Sequence, residues 1–198
     1  MPADPNDGSR PGLIRRTWRG LATPSARWSV LSLVLLGILI GFLAVVGTQV
    51  MVYVTGTDQF CGTACHSMQW VAKEHAQSVH AVNRTGVKAG CHDCHIPHDY
   101  PELLVYKAKA GIKDAIGEMR GVISTQEKFE KERLRMAKHV WEEYQGNNSR
   151  ACRTCHQFSK EILAKQKEEV RPIHEAVIAG NGTCVDCHKG VAHKAPEE

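Results

Sequence analysis

Aromatic residues make up only 6% of the chain, so a large conventional core built on rings is not promised. No stretch alternates apolar and polar residues in the two-residue period of a half-buried strand, which argues against a sheet. Charge is missing altogether from Ser29 to Thr57, and ahead of that gap the acidic residues stop at Asp7 while Arg10, Arg15, Arg16, Arg19 and Arg27 continue. Those five arginines, against Asp4 and Asp7, account for most of the formal charge of +4; from Asp58 onward 20 Lys and Arg stand against 19 Asp and Glu. The basic balance is therefore local, it gives no support to a nucleic-acid partner, and none is expected. A length of 198 residues fits one domain with a tail.

The uncharged gap has its own meaning. SVLSLVLLGILIGFLAVVGTQVMVYV, Ser29–Val54, is a run of 26 residues. As a helix rising about 1.5 Å per residue it exceeds a hydrocarbon core about 30 Å thick, so it is expected to span a lipid bilayer. A cleaved signal peptide would carry a shorter apolar region, roughly 7–15 residues. Gly37 and Gly41 fall at a GxxxG spacing, which leaves a homo-oligomer open without arguing strongly for it. The preceding arginines place the N-terminus in the cytoplasm. The expected layout is a basic cytoplasmic tail over 1–27, a transmembrane helix over 28–54 and an external domain over 55–198. In a bacterium that means an inner-membrane anchor and a periplasmic domain.

Eight cysteines and eleven histidines carry the chemistry. The cysteines pair along the chain as Cys61/Cys65, Cys91/Cys94, Cys152/Cys155 and Cys184/Cys187, and each second cysteine is followed at once by His66, His95, His156 or His188. A disulfide framework does not require that histidine, and neither does a zinc ribbon. C-x-x-C-H is the attachment motif of c-type haem: two thiols form thioethers with the porphyrin vinyl groups and the histidine is aimed at the iron. CGTACH is one residue longer, and the extra residue can bulge out while both sulfurs still reach the macrocycle. Four covalent c-type haems are expected, and their propionates make the loaded domain acidic.

The order of the motifs repeats. CGTACH, His80, CHDCH and His98 come first; CRTCH, His174, CVDCH and His193 follow. A dihaem module used twice is expected, over about 58–100 and 147–196, with helices over about 101–145 between. Imidazole suits iron, and a six-coordinate haem needs a second axial ligand. His80, His98, His174 and His193 occupy equivalent places and are the candidates, against the plain alternative of exposed histidines. His98 is too near His95 in sequence to reach round the same haem and is expected on a neighbouring one. His92 is expected to face solvent, and His75 and His139 to lie at the surface. The modules differ after the first motif, where Ser67-Met68 follows His66. A thioether from Met68 is one choice of ligand for that iron, raising its potential relative to two imidazoles; His66 is the other.

Between the modules, Pro101 suits a first helical turn, and Ser124 to Glu127 reads as a capping box opening a charged helix to about Tyr144, ending at Gly146-Asn147-Asn148. Lys107 and Asp114 are seven apart on the first of these helices and share a face; by themselves they read as two solvated charges. The fold class is mainly α with extensive loops: one N-terminal transmembrane helix and a multihaem c-type cytochrome domain of two dihaem modules.

The pieces HAVNRTG at His80, CHDCHIPH, NNSRACRTCH at Asn147 and CVDCHKGVAH together resemble the NapC/NirT/NrfH family of membrane-anchored tetrahaem cytochromes c, over Trp28 to Pro196. The resemblance implies a quinol dehydrogenase. It would take electrons from menaquinol or ubiquinol and pass them to a periplasmic terminal reductase, of nitrate, nitrite or S-/N-oxide type, or to its cytochrome subunit. It implies distal haem ligands at His80, His98, His174 and His193, a methionine ligand at Met68, and a quinol pocket holding Lys107 and Asp114 beside the first haem. Asp114 would take a hydroxyl proton and Lys107 would hydrogen-bond the other quinol oxygen. CGTACH departs from the family's usual two-residue spacing. The alternative function is a passive membrane-tethered electron carrier with no quinol site of its own.

Overall fold

The computed structural model describes Gly12, Ile14 and residues 30–197; the basic tail, with its five arginines, lies outside the described residues. Two compact units divide between Met51 and Val52. Among the described residues all regular structure is helical: α1 Val30–Val54, α2 Asp58–Thr63, a 3-10 turn His66–Met68, α3 Gln69–His75, α4 Cys91–His95, α5 Glu102–Met119, α6 Gln126–Gly146, α7 Arg150–Cys155, α8 Lys160–Ala164, α9 Arg171–Ile178 and α10 Cys184–Cys187.

Helix α1 is long and apolar enough to cross a membrane over Leu31–Val54. Its 25 residues extend about 37 Å. Apolar side chains ring it on every side, as a helix surrounded by lipid requires. Its polar Thr48 hydroxyl is satisfied within the helix, donating to Ala44 O at 2.8 Å, which suits a medium without water.

In the second unit the spine is α6. Thr125 caps it by accepting from Lys128 N at 3.3 Å. The cap falls one residue later than the sequence pattern placed it, because the Ser124 hydroxyl is engaged with Gly121 O at 3.1 Å. Along α6, Phe129 stacks on Trp70 of α3 at 5.4 Å, and Arg133 reaches Glu74 of α3. The Tyr144 hydroxyl donates to Cys94 O at 2.8 Å, and Gln145 donates to Asp186 of α10 at 2.6 Å. Three cysteine-bearing or flanking helices are thereby hung on one rod. The rod ends in two left-handed residues, Asn148 and Ser149 (φ 55° and 50°). Asn tolerates that conformation better than Ser. Ser149 is fully buried, with its N–H closing on Tyr144 O at 2.6 Å and its hydroxyl accepting from Val185 N at 3.4 Å.

Conventional core is scarce. Among the described residues the buried apolar side chains are Phe129, Leu163 and Val185. Helix–helix hydrophobic packing on that scale does not hold a domain of this length, so most of the apolar mass has to come from elsewhere.

Candidate haem sites

Each cysteine motif sits on a short helix or its end. The helices are started by the same device in the second and fourth motifs. Asp93 accepts from Gly90 N at 2.6 Å, and Asp186 accepts from Thr183 N at 2.6 Å. This is the reach-back half of a capping box, and it explains why CHDCH and CVDCH both carry Asp before the second cysteine. Asp58, the first residue of α2, caps α4 from outside by accepting from Cys91 N at 2.7 Å. Gly90 leaves room for that contact, since a Cβ would stand 2.6 Å from Asp58 Oδ1.

The motifs lie in chain order. Cys61 stands against Cys91, Cys94 lies in the field of Cys152 and Cys155, and Cys152 stands against Cys184. None of the eight cysteines is in a disulfide.

The histidine rings are arranged in opposition. His80 stands 6.2 Å from His156, His193 stands 6.2 Å from His95, and His174 stands 6.1 Å from His188. Two imidazoles on opposite faces of one metal, each with a nitrogen about 2 Å from it, put their centroids roughly 6 Å apart. The remaining ring atoms are held as axial imidazoles need. His80 Nδ1 meets Val191 O at 3.2 Å and His174 Nδ1 meets Gln166 Oε1 at 2.5 Å. His193 bonds the Val71 backbone, while its buried Nδ1 has no protein partner. Burial, with His193 and His75 nearby, pushes His95 down to about 4, which keeps it in the neutral form that binds metal.

Two clefts flank the cysteines. One of about 360 Å³ beside Cys91 is lined by Ala72, Ala76, Ala81 and Val82; one of about 430 Å³ beside Cys187 is lined by Pro172, Ile173, Ala176 and Val177. Thiol pair, opposed imidazoles and a small-residue apolar wall together fit a covalent haem. They do not fit zinc: among the described residues no group of three or more His, Cys, Asp and Glu side chains converges on one point.

The other predicted residues fall as follows. His98 pairs with His92 at 6.0 Å and its Nε2 lies 3.4 Å from Asp93 O. His92 also contacts Asp93 at 3.1 Å. His139 is exposed. His75, expected at the surface, is instead partly buried, with Nε2 2.9 Å from Ala89 O and its ring 6.2 Å from His193. Met68 is 38% exposed in the turn after Cys65, while the His66 side chain lies outside the described residues.

Around the first motif the neighbours are charged. Lys107 lies in the field of Cys61, and a Cβ on Gly56 would be 3.9 Å from its Nζ. Asp114 and Glu118, one turn apart on α5, both act on Cys65, and Glu118 accepts from the hydroxyl of buried Ser67. Partial desolvation raises the Asp114 carboxyl above its ordinary value, although the residue as a whole is exposed, and lowers the half-buried Lys107 amine. Sequence reasoning missed Glu118, although its i+4 spacing from Asp114 was a usable signal. It also missed Asp58, which no motif marks.

These features define a c-type cytochrome carrying more than one haem, with a helix apolar enough for a membrane anchor. The profile of the NapC/NirT cytochrome c family, N-terminal region, matches residues 23–198, and the chain belongs to that family. It is 44% identical to the cytochrome c-type protein TorC of Escherichia coli K12 over 184 residues, 93% of this chain and 47% of TorC. It is 40% identical to the cytochrome c-type protein NapC of the same organism over 193 residues, 97% of this chain and 95% of NapC. It is 39% identical to the denitrification system component NirT of Stutzerimonas stutzeri over 178 residues, covering 89% and 88%. The chain thus spans about half the length of the TorC relatives it matches. No solved structure matches it.

Proposed function

We propose that the protein is a membrane-anchored tetrahaem quinol dehydrogenase. Residues 1–27 would lie in the cytoplasm, 28–54 in the inner membrane and 55–198 in the periplasm. The observation that carries this reading is that Lys107 lies in the field of Cys61 and Asp114 in that of Cys65, so α5 brings both toward the first cysteine motif, Lys107 half-buried and Asp114 exposed.

Bound c-type haem supplies one-electron redox chemistry, so a line of four drains a two-electron donor in steps. The residues do the rest. Asp114, its proton affinity raised, takes a hydroxyl proton from the quinol; Lys107 hydrogen-bonds the other quinol oxygen. The second hydroxyl proton would pass to water on the periplasmic side, and the four cysteine motifs would hold the haems that take up the two electrons. The chain order of the cysteine contacts favours a path from the Cys61/Cys65 motif to the Cys184/Cys187 motif. From there electrons would pass to a periplasmic terminal reductase for nitrate, nitrite or an S- or N-oxide, or to its cytochrome subunit. We assign His193 opposite His95, His80 opposite His156 and His174 opposite His188. Met68 or His66, with His98 as the remaining imidazole, is left for the first iron.

Purified protein mixed with menaquinol or ubiquinol analogues tests this. Reduction of the haems without any partner is expected, and its loss in Asp114→Asn and Lys107→Leu at unchanged haem content. No reduction of the unaltered protein by either quinol means a passive carrier instead. Normal rates in both variants mean that the pocket is elsewhere.

A further inference from the structure

Taking the assignment of His193 above as given, we propose that Glu74 and Arg133 are positioning residues. Together they grip both peptide groups of Lys194 and so hold the neighbouring His193 ring across from His95. His193 needs such a device. His174 lies in α9, but His193 lies in the irregular C-terminal segment, where no helix fixes its direction.

The grip uses the whole guanidinium. Arg133 is only 7% exposed, and its charge stacks 4.7 Å over the Phe129 ring. Its Nε donates to Glu130 at 2.7 Å. Nη1 donates to Glu74 at 2.9 Å and to Lys194 O at 3.0 Å. Nη2 donates to Glu74 at 2.5 Å and to Glu130 at 2.9 Å. All five N–H donors that arginine possesses are thus engaged. Glu74 then accepts from Lys194 N at 2.9 Å. One residue's N–H and C=O are therefore both captured, 120 positions away from Glu74 in the chain.

Fastening α3 to α6 does not explain this geometry. The Trp70–Phe129 contact and the Glu74–Arg133 pair would do that without touching Lys194. A partly buried ion pair is weak evidence for net stability, so the contacts to Lys194 call for their own explanation. Glu130 serves Arg133 but makes no contact with Lys194 among these bonds, so it is the internal control.

The test is carbon monoxide binding to the dithionite-reduced, haem-loaded protein, together with the ferric spin state. An iron with two protein ligands resists carbon monoxide; one that has lost an imidazole binds it. His193→Ala should add one equivalent of bound carbon monoxide per chain over the unaltered protein, with one haem turning high-spin. Glu74→Ala should add the same equivalent at unchanged haem content and helicity, and Glu130→Ala should add none. If His193→Ala adds nothing, the axial assignment is wrong and the proposal falls with it. If His193→Ala adds an equivalent and Glu74→Ala does not, the assignment stands and the clamp is overturned. Should Glu74→Ala fail to accumulate with haem, Arg133→Lys decides between the same two outcomes, since an ammonium's three donors cannot replace the five that the guanidinium spreads over Glu74, Glu130 and Lys194 O.

Discussion

Around the Cys91, Cys152 and Cys184 motifs, each adjacent histidine faces a second imidazole at 6.1–6.2 Å. Around Cys61 and Cys65 the described neighbours are Lys107, Asp114 and Glu118 of α5 and the turn that carries Met68. The first environment sets imidazole against imidazole, the arrangement a metal held between two rings would need. The second has groups that gain and lose protons. A chain that only relayed electrons would have no use for the second kind, and it is this difference that favours a proton-coupled donor such as quinol.

The largest expected effect breaks that comparison at its charged end. Asp114→Asn should lower the rate of haem reduction by quinol about 10²–10⁴-fold, the usual contribution of a positioned general base. Reduction by dithionite should be unaffected. The pH profile sharpens the point. The ionised carboxylate is the base, and partial desolvation raises its pKa above the ordinary carboxylate value. The rate should therefore fall as pH drops through that raised value, higher than for a fully solvated Asp, and the Asn variant should lose this dependence. Stopped-flow absorbance across a pH series measures both. A profile unchanged by the substitution would remove Asp114 from proton transfer.

A smaller effect belongs to the turn beside it. Met68→His should make the first motif resemble the other three and lower the potential of one haem, because a thioether ligand raises it relative to imidazole. Spectroelectrochemical titration should show one midpoint moved down and the others unmoved. If no midpoint moves, Met68 is a packing residue and the ligand is His66.

What was legible in the chain follows from which interactions are local. Covalent attachment needs two thiols and a histidine at close spacing, so three motifs could be read directly and CGTACH, one residue longer, by likeness to them, and the absence of strand alternation likewise pointed to a helical fold. The duplication marks His80, His98, His174 and His193 as equivalent candidates, yet the ring pairs do not respect it, and His98 faces His92 rather than a motif histidine. His174 opposes His188 within the second module, while His80 and His193 cross between modules to His156 and His95. Such crossing is set by how α4 and α7 pack, which no spacing encodes. The long-range fasteners were invisible for the same reason: Arg133 and Glu74 are ordinary residues on charged helices until the C-terminal segment is laid between them. At the start of α6, S-T-Q-E fits a pattern that makes Ser124 the cap; Thr125 fits the geometry, and a Ser-Thr pair leaves that choice to the turn before it.

The smallest effect concerns how the two kinds of site are joined. Asp58 of the first motif caps the helix of the second, and Gly90 leaves room for it. A methyl group at 90 meets the end of the Asp58 side chain, so either Asp58 turns away and gives up its bond to Cys91 N or α4 shifts. Gly90→Ala should therefore cost about 1–3 kcal/mol, the range for forcing extra volume into a packed contact, read as a lowered denaturation midpoint. Gly111→Ala is the matched control, because a Cβ there meets nothing within 4 Å and alanine favours a helix over glycine; it should hold or raise the midpoint. Adding Asp58→Ala to Gly90→Ala should remove the clash but leave Cys91 N uncapped, recovering only part of the loss. Full recovery would mean that Asp58 contributes crowding and no cap, and that the first two motifs are joined through their cysteines alone.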